Sequence, residues 1–286
     1  MAPARRTPAV QALDPKRSQR MPDVTPGPGR ELAGQTIVVT GAGRGIGRAI
    51  AMRYAAAGAS IVAAAKSSSG VERTARAIRG AEGRAVSVVA DVRDEDAVGR
   101  LFRRANSEYG RVDMAVLNAG VYAPQTRIDL IPSEQWHESM DVNVTGVFFG
   151  IRAAVPYMRQ SGGGKILVMG SGASRRAPDG LGAYAASKAA VTALVRVAAR
   201  DLRAYDIAVN ELQPGPTATR LHGVSESDPD TLADREVVLE EGLEDDSSIA
   251  GEWFKSPRSV AEFALSLAAL PNRGPSGQLF SLNSVI

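Results

Sequence analysis

Two side chains four residues apart, Tyr184 and Lys188, point most directly to chemistry in this sequence. The segment that follows Tyr184 is rich in Ala and free of Gly and Pro, which predicts a helix. Residues four apart lie one turn above each other on the same helix face. An ammonium beside a phenol favours the phenolate, so we expect Lys188 to lower the pKa of Tyr184 from about 10 and to prepare it for proton exchange with a carbonyl or alcohol. Taken alone, the pair also fits an ordinary surface helix.

A glycine-rich turn is the second candidate. A short β-branched strand over 36–40 runs into Thr40-Gly-Ala-Gly-Arg-Gly-Ile-Gly47, and a helix is predicted directly after it. Glycines allow the tight turn and let backbone N–H groups approach a pyrophosphate, whose charge the helix N-terminus stabilises. The position between strand and helix therefore predicts a dinucleotide site. The spacing is G-x-x-x-G-x-G, with Ile46 where the commoner dinucleotide fingerprint has Gly or Ala.

Strands and helices alternate along the rest of the chain. Predicted strands cover 36–40, 60–65, 85–90, 112–117, 165–169, 207–212 and 277–282, and predicted helices cover 48–57, 71–79, 95–109, 133–158 and the segment from 184. Mostly uninterrupted apolar strands that alternate with helices indicate a parallel sheet covered on both faces. The predicted fold class is α/β, a single-domain Rossmann-type doubly wound parallel sheet of about seven strands with helices on both faces.

Two segments stand apart from this repeat. Residues 1–33 are rich in Pro, Arg, Gly and Ala without periodicity and predict a disordered basic extension, or else an arm that touches a partner subunit or a polyanion. The Rossmann domain is expected to span 34–286. Within it, 216–256 is strongly acidic, which fits either a solvated insertion or a mobile lid over a substrate.

Composition excludes several classes of protein. The 286 residues include no Cys and two His, 137 and 222, far apart in sequence, so neither a disulfide framework nor a His-rich metal site is expected. No apolar run reaches the roughly 18 residues of a membrane span, and the start has no apolar leader, so we expect a cytoplasmic protein without membrane contact. The net charge of +3 is smaller than the excess carried by residues 1–30. The basic character is thus a property of the tail, and no nucleic-acid groove is predicted.

Five motifs in order resemble the short-chain dehydrogenase/reductase family, over about residues 34–282. The turn at 40–47 is similar to the family's TGxxxGxG loop. Asn118-Ala-Gly120 resembles its N-A-G motif, although Leu117 stands where a second Asn is common. The remaining three motifs are Asn143 on the fourth helix, Ser171 thirteen residues before Tyr184, and the segment from Pro214 to Thr219.

The resemblance implies a catalytic tetrad of Asn143, Ser171, Tyr184 and Lys188. In such an enzyme Tyr184 donates a proton to the developing alkoxide, Ser171 polarises the carbonyl, and Asn143 positions a water that relays protons to Lys188. Ser174 is the rival hydroxyl to Ser171. The implied cofactor contacts are Gly41, Arg44, Gly45, Ile46, Gly47, Lys66, Asp91, Val92, Asn118, Ala119, Gly120, Tyr184, Lys188, Pro214, Gly215, Thr217 and Thr219.

Charge favours one of the two nicotinamide cofactors. An NAD site places an Asp or Glu about 20 residues after the glycine loop to hold the ribose 2′-hydroxyl. Here the second strand ends in Ala-Ala-Lys66-Ser-Ser without an acid, and Arg44 precedes Gly45. A carboxylate would repel a 2′-phosphate, whereas these two cations attract it. We therefore expect NADPH, with NAD as the less favoured alternative.

The sequence indicates the substrate less clearly than the cofactor. NADPH in a cytoplasm indicates reduction of a ketone or aldehyde. Arg175 and Arg176 close after Ser171 could contact an anionic group, yet the acidic 216–256 segment would repel an acyl carrier or coenzyme A. We expect a bulky neutral or cationic ketone, such as a secondary-metabolite intermediate. A 3-oxoacyl-thioester reductase and an NAD-dependent alcohol dehydrogenase are the alternatives.

Apolar residues spaced at four on the Asn143 helix resemble the family's subunit interface, although they also fit an intramolecular core. These residues are Trp136, Met140, Val144 and Phe148. A homodimer or homotetramer is expected. The final residues, Ser281 to Ile286, depart from the Asp-Gly-Gly with which the family often ends its last strand, so a C-terminal contact between subunits is not predicted.

Overall fold

A seven-stranded, fully parallel sheet in the order β3-β2-β1-β4-β5-β6-β7 forms the centre of the protein. The computed structural model describes residues 29–122, 124–217 and 255–283. The strands are β1 (Thr36–Thr40), β2 (Ser60–Ala65), β3 (Arg84–Val89), β4 (Met114–Leu117), β5 (Gly164–Met169), β6 (Ile207–Gln213) and β7 (Leu279–Ser281). The predicted doubly wound α/β fold is confirmed. Most of the predicted extension, most of the predicted lid, and Thr219 lie outside the described residues.

Helices cover both faces of the sheet, as uninterrupted apolar strands require. They are α1 (Gly45–Ala56), α2 (Ser68–Gly80), α3 (Glu95–Tyr109), α4 (Ser133–Met140), α5 (Gly146–Gln160), α6 (Ala173–Arg176), α7 (Gly182–Asp201) and α8 (Pro257–Ala268). One core cluster packs α1, α2 and α8 against the sheet. The other packs α3, α5 and α7 against the opposite face. Because helices cover both faces of the sheet, a site can form at the ends of the strands, where the loops lie.

The helix expected over 133–158 is interrupted. Helix α4 ends at Met140, a π-helical turn follows over Asp141–Thr145, and α5 then continues to Gln160. Pro156 lies inside α5 without ending it. The π turn widens the backbone around Asn143, and turns of this kind occur frequently at functional sites.

The structure describes the residues at the borders of the predicted extension, 1–33, and of the predicted insertion, 216–256. Leu32 is fully buried, and its N–H donates to the carbonyl of Ala57 at 2.9 Å, so packing begins before the expected boundary at 34. At the other segment, Thr217 pairs with Lys255 in a parallel bridge, and the Lys255 N–H donates to Pro216 at 3.0 Å. The described chain therefore stops at Thr217 and resumes at Lys255, and these two residues are neighbours. Within the described ranges, no helix combines the length and apolar character needed to span a bilayer.

Candidate active site

A cleft of about 830 Å³ opens at the carboxyl ends of the strands, where β1 and β4 are neighbours and the strand order reverses. This switch point is where open α/β sheets bind ligands. Every predicted site residue lines the cleft except Asn143, which lies behind its wall, and Thr219, which is outside the described residues. In the part of the chain that the structure describes, no group of three or more acidic or His side chains could hold a metal ion.

The glycine turn is held against the end of β4. Gly41 has φ of 66°, and a Cβ there would lie 2.9 Å from the Cα of Ala119. A Cβ on Gly47 would lie 2.8 Å from the carbonyl carbon of Gly41. The Nδ2 of Asn118 donates to the Thr40 carbonyl at 2.9 Å, which joins the two strand ends. Neither glycine can carry a side chain without moving this backbone, so the turn's shape depends on both.

The N-terminus of α1 faces the cleft without a side-chain cap. Arg44 at the N-cap makes no side-chain hydrogen bond to the helix, and the first turn contains no acidic residue. The N–H groups of the first turn have no acceptor within a helix. They and the positive end of the helix dipole suit an anionic group such as a pyrophosphate. The cradle thus fits a dinucleotide cofactor.

The end of the cleft beside β2 and β3 is basic. Arg44, Lys66, Arg73 and Arg93 line it, against the carboxylate of Asp91. The Nη2 of Arg93 lies 2.6 Å from Asp91, and Lys66 lies 3.8 Å away. Hydrogen bonds from Arg93 hold the pKa of Asp91 at about 2. Four cations stand against the carboxylates of Asp91 and Glu138, the second of which also acts on Arg93, so positive charge is in excess in this part of the wall and favours an anionic ligand group.

Tyr184 projects into the opposite end of the cleft from the first turn of α7. Its side chain is buried, and its ring packs against Tyr122 with 4.9 Å between centroids and a tilt of 58°. Burial raises the pKa of Tyr184 to about 12, while a hydrogen bond with Ser171 opposes that rise. The phenol is therefore neutral at ordinary pH, the form that donates a proton.

The expected lowering of the Tyr184 pKa by Lys188 is wrong for this structure. The Lys188 Nζ lies 5.8 Å from the Tyr184 ring centroid and donates to the Met169 carbonyl at 2.8 Å. Because both side chains are buried, desolvation is the largest influence on each pKa. The same desolvation lowers the pKa of Lys188 to about 8, and the charge of Glu211 raises it.

The two candidate serines have different surroundings. Ser171 lines the cleft, bonds to Tyr184, and accepts a hydrogen bond from the N–H of Ala173 at 3.2 Å. Ser174 does not line the cleft, and its hydroxyl accepts from Gln213 at 3.2 Å. Ser171 therefore contacts Tyr184 in the cleft, whereas Ser174 contacts Gln213 at the end of β6.

Asn143 is fully buried behind the cleft wall, in the π turn. Its Oδ1 accepts from the Val121 N–H at 2.9 Å, and its Nδ2 donates to the Val121 carbonyl and the Ser187 hydroxyl, each at 3.0 Å. A Cβ on Gly120 would lie 3.1 Å from this Oδ1 and 3.7 Å from the Lys188 Nζ. Asn143 thus ties the loop after β4 to α7 beside the lysine, without touching the cleft itself.

Sequence reasoning missed several residues of the site region, among them Arg73 and Arg93 at the basic end, Tyr122 and Glu211. Tyr122 follows the Asn118-Ala-Gly120 motif by two positions, and nothing in its sequence context marks it. Glu211 did carry a signal, because a charged residue in the middle of an apolar strand needs a reason to be there. It is 1% exposed and lies below the cleft floor.

Comparison with known proteins gives consistent findings. The family model described as short chain dehydrogenase matches residues 35–230. A 3beta-hydroxysteroid dehydrogenase of Eggerthella lenta is 34% identical over 80% of this chain and 89% of its own length. An NADPH-dependent aldehyde reductase-like chloroplastic protein of Arabidopsis thaliana is 37% identical over 66% of the chain and 75% of its own length. An uncharacterized NAD-dependent oxidoreductase of Mycobacterium tuberculosis is 38% identical over 65% and 72%.

Proposed function

This chain belongs to the short-chain dehydrogenase/reductase family, whose members are oxidoreductases acting on CH–OH and C=O groups, and we propose that it is an NADPH-dependent ketoreductase. One observation carries the proposal. A neutral phenol, a serine hydroxyl and a buried lysine meet at one end of a cleft whose other end is an uncapped helix N-terminus with basic walls. The arrangement suits proton donation to a carbonyl beside a bound dinucleotide phosphate.

Each residue of the site has its own role in the proposed reduction. When bound, the nicotinamide supplies the hydride that reduces the carbonyl carbon. The Tyr184 hydroxyl donates its proton to the carbonyl oxygen, and Ser171, already bonded to Tyr184, holds that oxygen in place. The Lys188 charge lies close enough to stabilise the phenolate that remains. Asn143 holds the loop after β4 beside Lys188, where a water could return the proton.

The preference for NADPH is supported by charge. Arg44, in the turn after β1, and Lys66, directly after β2, line the cleft, and Arg73 and Arg93 add to them. Lys66 has most of its side chain in solvent, so it can turn towards a phosphate. A 2′-phosphate would replace the weak contact of Lys66 with Asp91, whose charge Arg93 already balances.

For the substrate we propose a bulky neutral or cationic ketone, in keeping with a secondary-metabolite intermediate. Tyr122, Pro178 and Leu181 give the wall near Tyr184 an apolar character that suits a ring system. The similarity to a 3beta-hydroxysteroid dehydrogenase supports a polycyclic substrate over a small aldehyde. Within this proposal, a 3-oxoacyl thioester is disfavoured by the acidic composition of 216–256.

The test is a panel of carbonyl compounds with the purified chain and each cofactor. We expect oxidation of NADPH, followed by its nicotinamide absorbance, to be fastest with a polycyclic ketone and slower with a 3-oxoacyl thioester or a small aldehyde. Tyr184→Phe is the control for turnover at this site. Equal or faster turnover with NADH, or reduction that survives in Tyr184→Phe, would contradict the proposal.

An NAD-dependent alcohol oxidation is the second candidate. The contact between Lys66 and Asp91 favours it, because a paired lysine attracts a phosphate less strongly. The similarity to an NAD-dependent oxidoreductase points in the same direction. Fluorescence titrations with NADPH and NADH separate the two, since tighter NADH binding supports oxidation.

We further propose that the protein acts in the cytoplasm as a homodimer or homotetramer. Trp136 on α4 and Phe148 on α5 are 38% and 42% exposed, which is more than large apolar side chains of a core would be. A face of this kind is suited to a second copy of the chain. Light scattering on wild type and on Phe148→Glu measures the mass, and a lower mass in the variant is expected.

A further inference from the structure

A buried carboxylate lies below the cleft floor. Glu211, in β6, is 1% exposed, and its Oε1 accepts from the Nε2 of Gln213 at 2.8 Å. Its Oε2 is buried and has no hydrogen-bond partner among the described residues. A carboxylate in such a place is costly unless a positive charge is close. A cation close to the Glu211 carboxylate is therefore expected.

The direction of the Glu211 side chain identifies this cation. Side chains alternate along a strand, and Ile207 and Val209 of β6 belong to the core cluster that includes Val191 and Val195 of α7. Glu211 follows the same alternation, so its carboxyl points to the face that α7 covers. Helix α7 carries Lys188, which is 5% exposed and interacts electrostatically with Glu211.

A glycine makes room for the carboxylate. A Cβ on Gly170 would lie 2.6 Å from the carboxyl carbon of Glu211 and 2.7 Å from its Cγ. Gly170 stands between Met169, whose carbonyl accepts the Lys188 hydrogen bond, and Ser171. The acid is therefore fitted directly under the turn that carries the serine and against the anchor of the lysine.

We propose that Glu211 is the buried counter-charge of Lys188, a positioning residue that keeps the ammonium protonated beside Tyr184. The inference deepens the function proposed above and rests on it for the catalytic consequence. Burial pushes the pKa of Lys188 down to about 8, and the Glu211 carboxylate works against that shift. Without Glu211 the lysine would lose its proton at lower pH, and the phenolate left after proton donation would lose its stabilising charge.

The other charged and titratable groups around Lys188 do not replace this carboxylate. Tyr184, on the same helix, and Tyr122, from the loop after β4, are phenols. From α6, Arg175 donates to Gln213 at 3.5 Å. Its charge has the same sign as that of Lys188 and therefore cannot stabilise the ammonium.

The experiment follows the titration of Lys188 in the cofactor-free protein by NMR of labelled lysine, with the signal assigned from Lys188→Met. In Glu211→Gln, which keeps the size and the acceptor oxygen, we expect the midpoint to fall by about one pH unit or more. Glu262→Gln on α8, which removes an exposed acid paired with Arg53 of α1, is the matched control and should leave the midpoint in place. If Glu211→Gln does not fold, Glu211→Leu removes the same charge with an apolar side chain of similar volume.

A second readout is catalytic. The alkaline limb of kcat/KM for ketone reduction should move to lower pH in Glu211→Gln. An unchanged Lys188 midpoint in a folded charge-neutral variant would overturn the inference. If no carbonyl is reduced by any form of the protein, the proposed function fails, while the NMR titration still decides whether Glu211 is the counter-charge.

Discussion

The Nζ of Lys188 lies 5.8 Å from the centroid of the Tyr184 ring, and its 2.8 Å hydrogen bond goes to the Met169 carbonyl instead of to the phenol. Burial therefore decides the state of both side chains in the free protein. The pKa of the phenol rises to about 12 and that of the ammonium falls to about 8. In the free protein Tyr184 therefore carries a proton, as the proposed reduction requires.

Removing the phenolic hydroxyl should abolish turnover without loss of cofactor binding. In Tyr184→Phe we expect kcat to fall by about 10²- to 10⁴-fold, the usual worth of a positioned proton donor. Stopped-flow turnover and a fluorescence titration with NADPH measure the two effects separately. Tyr157→Phe on α5, away from the cleft, should behave as wild type. Loss of NADPH binding in Tyr184→Phe would show that the hydroxyl is needed for more than chemistry.

Replacing the buried ammonium should change how the stability of the protein depends on pH. The pKa of Lys188 is about 8 in the folded protein and 10.5 for the ordinary side chain, so the unfolded chain binds this proton more tightly. Folding is therefore penalised at pH 7, by on the order of 3 kcal/mol, and the penalty is relieved as pH rises from about 8 to 10.5. Relative to wild type, we expect the free energy of unfolding of Lys188→Met to be higher at pH 7 than at pH 10, whatever the fixed cost of leaving the Glu211 carboxylate without its cation.

Urea denaturation of both proteins across this pH range measures the difference directly. The free energy of unfolding of Lys188→Met relative to wild type should fall as pH rises, because wild type alone gains stability through this group. Titrating groups that do not interact with Lys188 act on both proteins and cancel. A difference that does not change between pH 7 and pH 10 would contradict the shifted pKa.

The basic end of the cleft should discriminate between the cofactors. Lys66→Ala is expected to weaken NADPH binding about tenfold, because a charge-assisted contact with a phosphate is lost, and to change NADH binding little. Arg76→Ala is the matched control: it removes a cation that lies 3.9 Å from Glu72 and does not line the cleft. Titrations at low and high salt should show that the difference narrows with ionic strength. Equal losses for both cofactors would remove Lys66 from phosphate recognition.

The contact between Gly170 and Glu211 should appear as an energetic coupling. Gly170 does not have positive φ, so Gly170→Ala fails through the collision with the Glu211 carboxyl and should cost about 1–3 kcal/mol of unfolding free energy. In a Glu211→Ala background, which removes the colliding atoms, the same change should cost little. Gly80→Ala, with nothing within 4 Å of the added carbon, is the control for substitution alone. Additive losses would mean that the strain lies elsewhere.

Much of the fold could be predicted because the strands are buried on both faces. The predicted bounds of β1 and β2 are those observed, since an apolar β-branched run ends where polar residues and glycine begin. The break of the long helix at Asp141–Thr145 could not be predicted. A π turn has no composition of its own, and it depends here on the contacts of Asn143 with Val121 and Ser187.

The site was predictable where it depends on spacing and not where it depends on burial. Tyr184 and Lys188 do share a helix face, as their separation of four requires. The direction of the Tyr184 pKa shift was wrong because it depends on how far the side chain is withdrawn from water, which is a tertiary property. Glu211 was overlooked for the same reason, since its neighbours come from β5 and α7 and are distant in sequence.

The bridge between Thr217 and Lys255 has a practical consequence for engineering this protein. Because Thr217 and Lys255 lie side by side in this bridge, replacing the chain between them with a shorter one is expected to leave the sheet and Tyr184 where they are. Libraries directed at 218–254 would therefore test the role of that segment separately from the residues of the cleft.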